Sequence, residues 1–345
     1  MSPSARVLPM RARRRAGVSS AGEEESLRER LRALEEEVAR LRGEAQAQGG
    51  AQGPLVALAR VLQAGRNAAR WENVARLTSA VYFARHSEEV DEFGFDRRFT
   101  ESVRPLFEFL YTVWWRVETT GVENVPGEGP GLVVANHSGV LPWDGVMINL
   151  AVRHEHPARR ECRMLALDMF ALLPFLAPLL ARTGAVRASQ ENGERLLRKG
   201  ELVGVFPEGV KGVGKRYKER YRLSRFGRGG FVRLALRTGA PIVPCAVVGA
   251  EEIHPVVAKA DWVGRPLGLP YFPITPTFPL LGPLGIVPLP SKWSLDFADP
   301  IPMDAHGPAG ADDPILVNRL SEQVRSTIQG MVDGRLARRR SVWFG

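Results

Sequence analysis

Two short stretches of this chain carry side chains suited to moving a proton and holding a hydroxyl. The first is Asn136-His137-Ser138-Gly139-Val140-Leu141-Pro142-Trp143-Asp144. The second, about seventy residues further on, is Val205-Phe206-Pro207-Glu208-Gly209. Histidine titrates near neutral pH and can take a proton from an attacking hydroxyl. It needs a partner to fix its tautomer, and Asp144 is the nearest acid in the same loop as His137. Glu208 is a candidate to bond a substrate hydroxyl or to stabilise the loop that does so. Pro207 stiffens that turn, and Gly209 lets the backbone approach a ligand closely. A base, its orienting carboxylate and a hydroxyl- or anion-binding turn on one rim suit acyl transfer to an alcohol. Taken singly, each residue has a plainer explanation: His137 as a loop histidine bonded to backbone, Glu208 as a turn carboxylate.

A basic block begins just beyond Glu208. Between Lys211 and Arg237 there are ten Lys or Arg residues and one acid, Glu219. That block matches the excess behind a formal net charge of +9 and a pI near 10.0. Such a surplus calls for an anionic partner. Lys211-Gly212-Val213-Gly214-Lys215 lacks the Gly-Lys-Ser/Thr ending of a nucleotide phosphate loop, which argues against nucleotide hydrolysis. Two readings stay open. Lys211, Lys215, Arg216, Lys218 or Arg220 bind a phosphate group of a substrate, or the block rests on an anionic membrane surface. Nucleic acid is not expected, because no recognition module accompanies the cations. Arg187, between the two stretches, is either a surface charge or an anion ligand.

These residues must be positioned by the elements around them. Apolar, strand-like runs precede both stretches, at Leu132 to Ala135 and Leu202 to Val205. Further strands are expected at Arg116 to Thr119, Arg163 to Leu167, Ile242 to Val248 and Leu295 to Phe297, with helices near Asp144 to Arg153, Glu191 to Arg198 and Gly230 to Arg237. Strands alternating with short helices predict an α/β architecture with a mostly parallel central sheet flanked by helices. Ahead of it lies a helical N-terminal extension. Residues 1–22 are expected to be a disordered basic tail, 23–48 a short coiled-coil-like helix and 49–53 a linker. Leu27, Leu31, Leu34, Val38 and Leu41 form a seam that could self-associate through residues 27–41. Residues 54–115 form a helical region, including a helix from Phe99 to Trp115. Residues 313–345 form a C-terminal helix with a basic tail.

Two cysteines, Cys162 and Cys245, fit a reducing compartment and are too few for a thiolate zinc site. No segment reaches the roughly 18 apolar residues of a spanning helix. Met169 to Ala181 is broken by Pro174 and Pro178, and Arg265 to Pro290 is too rich in Pro and Gly for a regular helix. Either segment could pack in the core or touch a membrane.

With their order taken into account, these blocks resemble the phospholipid/glycerol acyltransferase family, of the lysophosphatidate-acyltransferase type. The matching blocks are Asn136-His137 through Asp144, Gly184 to Arg187, Phe206-Pro207-Glu208-Gly209, and Ala240-Pro241-Ile242-Val243-Pro244. The family's loop has four residues between His and Asp; here there are six. The resemblance implies a glycerolipid acyltransferase-type fold, with an acyltransferase domain over 116–312. It implies His137 and Asp144 as catalytic, and Phe206, Pro207, Glu208, Gly209, Arg187, Lys211, Lys215 and Arg216 as substrate-binding. It also implies an acyl thioester donor, acyl-CoA or acyl-ACP, and a glycerolipid acceptor, with no metal and no bound cofactor. The expected location is cytoplasmic, peripheral on the inner face of the membrane. A neutral lipid alcohol is the alternative acceptor; a non-catalytic basic lipid- or nucleic-acid-binding protein is the alternative class.

Overall fold

The computed structural model describes residues 90–345 apart from 139–140, 167–175, 210–211, 213, 261, 263–270, 283–284 and 286. The expectations placed on residues 1–22, 23–48 and 49–53, on the seam at 27–41, on most of 54–115, and on Lys211 lie outside the described residues.

Seven strands form one sheet: β1 (Glu118–Thr120), β2 (Gly131–Ala135), β3 (Cys162–Ala166), β4 (Val186–Arg187), β5 (Leu202–Val205), β6 (Ile242–Val248) and β9 (Ser294–Phe297). Their order is β1-β9-β6-β2-β5-β3-β4. Every pairing is parallel except β6 with β9. A parallel sheet must be covered on both faces, and the alternation along β2 shows how. Leu132 and Val134 enter one core cluster; Val133 and Ala135 enter the other.

The first face is covered by α4 (Gln190–Arg198), α5 (Gly230–Thr238) and α6 (Pro314–Arg338). The C-terminal helix is integral to that core: Val317, Leu320, Val324, Ile328 and Val332 are all buried in it. The second face is covered by α2 (Trp143–Glu155) and by the end of α1 (Arg97–Phe109), which continues as a π-helical turn over Leu110–Trp114. Trp115 is wholly buried there and stacks on Trp293 with ring centroids 4.6 Å apart. α1 starts on a side-chain cap, Asp96 Oδ1 accepting from the Phe99 N–H at 2.9 Å. The other Asp96 oxygen pairs with Arg182 at 2.6 Å, tying α1 to the end of α3 (Leu176–Arg182).

The six expected strands are present, with ends shifted by up to two residues. Three strands carried no usable sequence signal. β4 has two residues; β7 (Ala258–Ala260) and β8 (Phe272–Ile274) have three each and form a separate antiparallel pair. Pieces this short show no periodicity, and Pro273 inside β8 weakens the signal further. Among the described residues no helix is long and apolar enough to cross a membrane.

Candidate active site

The parallel strands β2, β5 and β6 end side by side, and the residues that follow them build the site at the carboxyl ends of the strands, where open α/β sheets place ligands. Asn136 fixes the exit of β2. Its side chain accepts the Val247 N–H at 2.8 Å and donates to the Val247 carbonyl at 2.9 Å. This continues the β2–β6 pairing by one side chain and sets the backbone from which His137 projects.

His137 Nδ1 lies 2.7 Å from Asp144 Oδ2, and both side chains are buried. A carboxylate only accepts, so Nδ1 carries the proton, and in the neutral imidazole Nε2 presents a lone pair. Asp144 is held by two backbone donors, the Ser138 N–H at 3.0 Å on Oδ2 and the Gly145 N–H at 2.9 Å on Oδ1. It sits in the first turn of α2, where the helix dipole favours negative charge. The six-residue spacing is accommodated by a tight turn, the Trp143 N–H donating to the Leu141 carbonyl at 2.8 Å. Trp143 then packs edge-on against Trp115, at 5.7 Å between centroids, and against Phe107, at 6.5 Å. Asp144, in the first turn of α2, thus reaches the imidazole across a six-residue spacing.

The Phe206-Pro207-Glu208-Gly209 turn leaves β5 beside it. Phe206 stacks on the His137 ring at 4.4 Å between centroids, fixing its plane. Gly209 has a φ of 56°, the left-handed region that glycine tolerates. Glu208 is buried and fully engaged by protein groups. Oε1 accepts the His137 N–H at 3.1 Å, Oε2 accepts the Ser224 N–H at 2.7 Å, and Lys215 Nζ lies 2.9 Å from Oε2. Glu208 thus braces the His137 backbone. Gly212 closes the gap between them: a Cβ there would lie 2.8 Å from the Glu208 Cβ and 2.9 Å from the His137 Cβ.

The structure redistributes the basic block. Lys215 is buried between Glu208 and Glu251, 3.4 Å from the latter, so its charge is used inside the protein instead of facing an incoming phosphate. Burial pushes the Glu251 carboxyl up to about 7, against the pull of Lys215. Arg220 lies over the Tyr217 ring and 3.7 Å from Glu252. Arg216 is exposed at the start of a 3₁₀ turn over Tyr217–Glu219, and its N–H points to Glu219. Arg187 ends β4, exposed and outside the cavity described below; its carbonyl accepts from Asn192 at 3.0 Å. Tyr221, in the left-handed region at φ 67°, is held by Gln329 of α6. Gln329 also accepts the Leu223 N–H at 2.9 Å, which presents the next N–H, Ser224, to Glu208. Gly212, Ser224, Gln329 and Glu251 are site-building residues that sequence reasoning passed over. An acidic pair directly after β6, Glu251-Glu252, was the one visible signal.

His137, Phe206 and Pro207 form part of the wall of a cavity of about 450 Å³, a size typical of small-ligand pockets. Most of its lining is apolar, including Val146, Leu150, Met164, Leu165, Phe226 and Phe231. One part is charged, with Arg153 paired to Glu161 and, at 2.6 Å, to Glu101. Arg228 lines the cavity and is exposed. Among the described residues no group of three His, Cys, Asp or Glu side chains is placed to hold a metal ion.

At the carboxyl rim of this mostly parallel sheet, the His137 of a His–Asp pair lines a largely apolar cavity. A family model described as Acyltransferase matches residues 116–248, which hold β1 through β6 and both motifs. An uncharacterized protein of Mycobacterium tuberculosis is 54% identical over 257 residues, spanning 74% of this chain and 72% of that protein. One from Mycobacterium leprae is 51% identical over 257 residues, with 74% and 70% covered. The Bos taurus protein called "DGAT1/2-independent enzyme synthesizing storage lipids" is 25% identical over 236 residues, 68% of this chain and 64% of that one. Among solved structures, the 1-acyl-sn-glycerophosphate (LPA) acyltransferase PlsC from Thermotoga maritima aligns at 18% identity and a TM-score of 0.46, covering 76% of this chain and 89% of that one. The chain belongs to the acyltransferase family.

Proposed function

We propose that this protein is an O-acyltransferase that moves a fatty acyl group from an acyl thioester, acyl-CoA or acyl-ACP, to a hydroxyl of a lysophospholipid or related glycerolipid. The observation that carries this reading is the His137–Asp144 pair, with His137 in the wall of an apolar cavity. The acyl chain lies in the cavity and the acceptor hydroxyl meets His137 Nε2. Nε2 takes the hydroxyl proton while Asp144 holds Nδ1–H. The alkoxide oxygen bonds to the thioester carbonyl carbon, the carbon–sulfur bond breaks, and the thiolate takes the proton back from the imidazolium. Glu208 acts through the His137 backbone. Arg228, exposed on the cavity wall, is the cation best placed for a phosphate of acceptor or donor, with Arg187 and Arg216 as further exposed cations. The protein works on the inner face of the membrane, as a peripheral enzyme.

A second reading, a neutral lipid alcohol as acceptor, has its own support. Lys215 is committed to two carboxylates, and the distant Bos taurus relative carries a name that speaks of storage lipids. An acceptor panel decides between them: purified protein with one labelled acyl thioester, offered lysophosphatidate, monoacylglycerol, diacylglycerol and a fatty alcohol. Preferred labelling of lysophosphatidate supports the first reading. Labelling only of the neutral acceptors replaces it with the second, and labelling of none overturns both.

A further inference from the structure

The segment that joins β6 to β9 is built unlike the rest of the surface. Residues 253–290 hold only three charged side chains, Lys259, Asp261 and Arg265. Trp262 is 81% exposed and Leu280 83%, and Val257, Leu281 and Val287 are exposed as well. The two ends of the segment are anchored. The segment is closed at its base by the Leu289 N–H on the Ile253 carbonyl at 2.9 Å, and the indoles of Trp114 and Trp115 donate to the Pro288 and Leu289 carbonyls at 2.9 and 3.1 Å. Five large apolar side chains exposed within one stretch of chain mark it as a candidate interaction surface.

Its neighbours are cationic. The Tyr217 N–H donates to the Val256 carbonyl at 2.9 Å, joining the segment to the loop that exposes Arg216, Lys218 and Arg222. It also leaves β6 at the site itself, where Glu251 meets Lys215 and Lys215 meets Glu208. Tryptophan favours the headgroup level of a bilayer, lysine and arginine are drawn to anionic leaflets, and interfacial binding grows with both terms. A second copy of the chain would bring the same cations face to face, which disfavours self-association through this surface.

We propose that the exposed Val257, Trp262, Leu280, Leu281 and Val287 between β6 and β9, with the basic loop beside them, are the surface by which this protein docks on an anionic lipid bilayer, Trp262, Leu280 and Leu281 entering the headgroup boundary. The proposal rests on the lipid-acceptor reading and deepens it, since docking there brings the rim that carries His137 to the interface and lets the acceptor reach it without crossing water.

The test is sedimentation of the full chain with vesicles of phosphatidylcholine, with and without phosphatidylglycerol. It compares wild type with the triple variant Trp262→Ser, Leu280→Ser, Leu281→Ser and with Arg222→Glu. Wild type is expected to sediment with the anionic vesicles. The apolar variant should lose at least tenfold in bound fraction, and the charge variant should lose its preference for phosphatidylglycerol. Both should still acylate a short-chain, water-soluble acceptor at the wild-type rate, because none of these residues lines the cavity. Undiminished vesicle binding by the triple variant overturns the proposal, as does a change in oligomeric state, seen by sedimentation velocity, in place of a change in vesicle binding. Absence of soluble-acceptor acylation in wild type would count against the acyl-transfer reading alone and leave the docking result to stand by itself.

Discussion

Replacing Asp144 by asparagine tests the chemistry with the smallest change in shape. The carboxylate accepts from His137 Nδ1, the Ser138 N–H and, at 3.5 Å, the Ser138 hydroxyl on one oxygen, and from the Gly145 N–H on the other. An amide has one oxygen, so one side must lose. If the amide oxygen stays toward His137, its NH₂ faces the Gly145 N–H, leaving a buried donor unpaired at about 1–3 kcal/mol. If the amide turns, NH₂ faces Nδ1, the proton moves to Nε2, and the base is lost; the Ser138 N–H then loses its acceptor too. The balance of the two costs decides how much of the enzyme keeps the competent tautomer. Loss of an oriented base is worth roughly 10²- to 10⁴-fold in rate, or about 3–5 kcal/mol of transition-state stabilisation. The assay is thiol release from acyl-CoA in the presence of lysophosphatidate, run beside a thermal melt. The expected result is kcat reduced by that factor, KM near wild type and a Tm lowered by no more than a few degrees. An Asp144→Asn protein with kcat within tenfold of wild type and an unchanged Tm would refute the assignment of Asp144 as the orienting carboxylate.

Other consequences follow from the same contacts. Asn136→Ala strands the Val247 N–H and carbonyl, both paired only through that side chain at the β2 exit, and should cost about 2–4 kcal/mol in a denaturant titration. Gly212→Ala sets a methyl 2.8 Å from the Glu208 Cβ and 2.9 Å from the His137 Cβ; overpacking of this kind costs about 1–3 kcal/mol, and turnover should fall by more than stability does, at least tenfold, because the imidazole moves. Glu251 sits with its carboxyl raised to about 7 by burial, so the native state binds its proton more tightly than the unfolded chain. That contribution is present below the ordinary carboxylate range and is lost as pH rises from there through 7. Glu251→Gln should remove it, and its Tm relative to wild type should therefore rise between pH 5 and pH 8.

Much of the layer architecture was legible, because parallel strands buried on both faces are near-continuous apolar runs, as in Leu132 to Ala135 and Leu202 to Val205. The residues at their ends were legible for the same reason: a strand exit is where His137 and Glu208 had to emerge. What could not be read was who faces whom across the sheet. Lys215 looks like a free cation in the sequence, since its partner Glu251 lies 36 positions on and meets it only because β6 ends beside the β5 turn, on the far side of β2. Gln329 reaches the basic loop from 106 positions away, from a helix whose sequence gives no hint of its neighbour. The His137-to-Asp144 spacing was ambiguous for a local reason. Trp143, inside that spacing, packs on Phe107 of α1 and on Trp115 just past its π-helical turn, neighbours that the loop's own sequence does not reveal.

The central claim is that His137 removes the acceptor's proton during acyl transfer. The most direct measurement is mass spectrometry of lysophosphatidate after incubation with a ¹³C-labelled acyl thioester, comparing wild type with a His137→Ala protein of matching circular dichroism. Wild type should yield labelled diacyl product, and the variant at least a hundredfold less. Comparable labelled product from both proteins would contradict it.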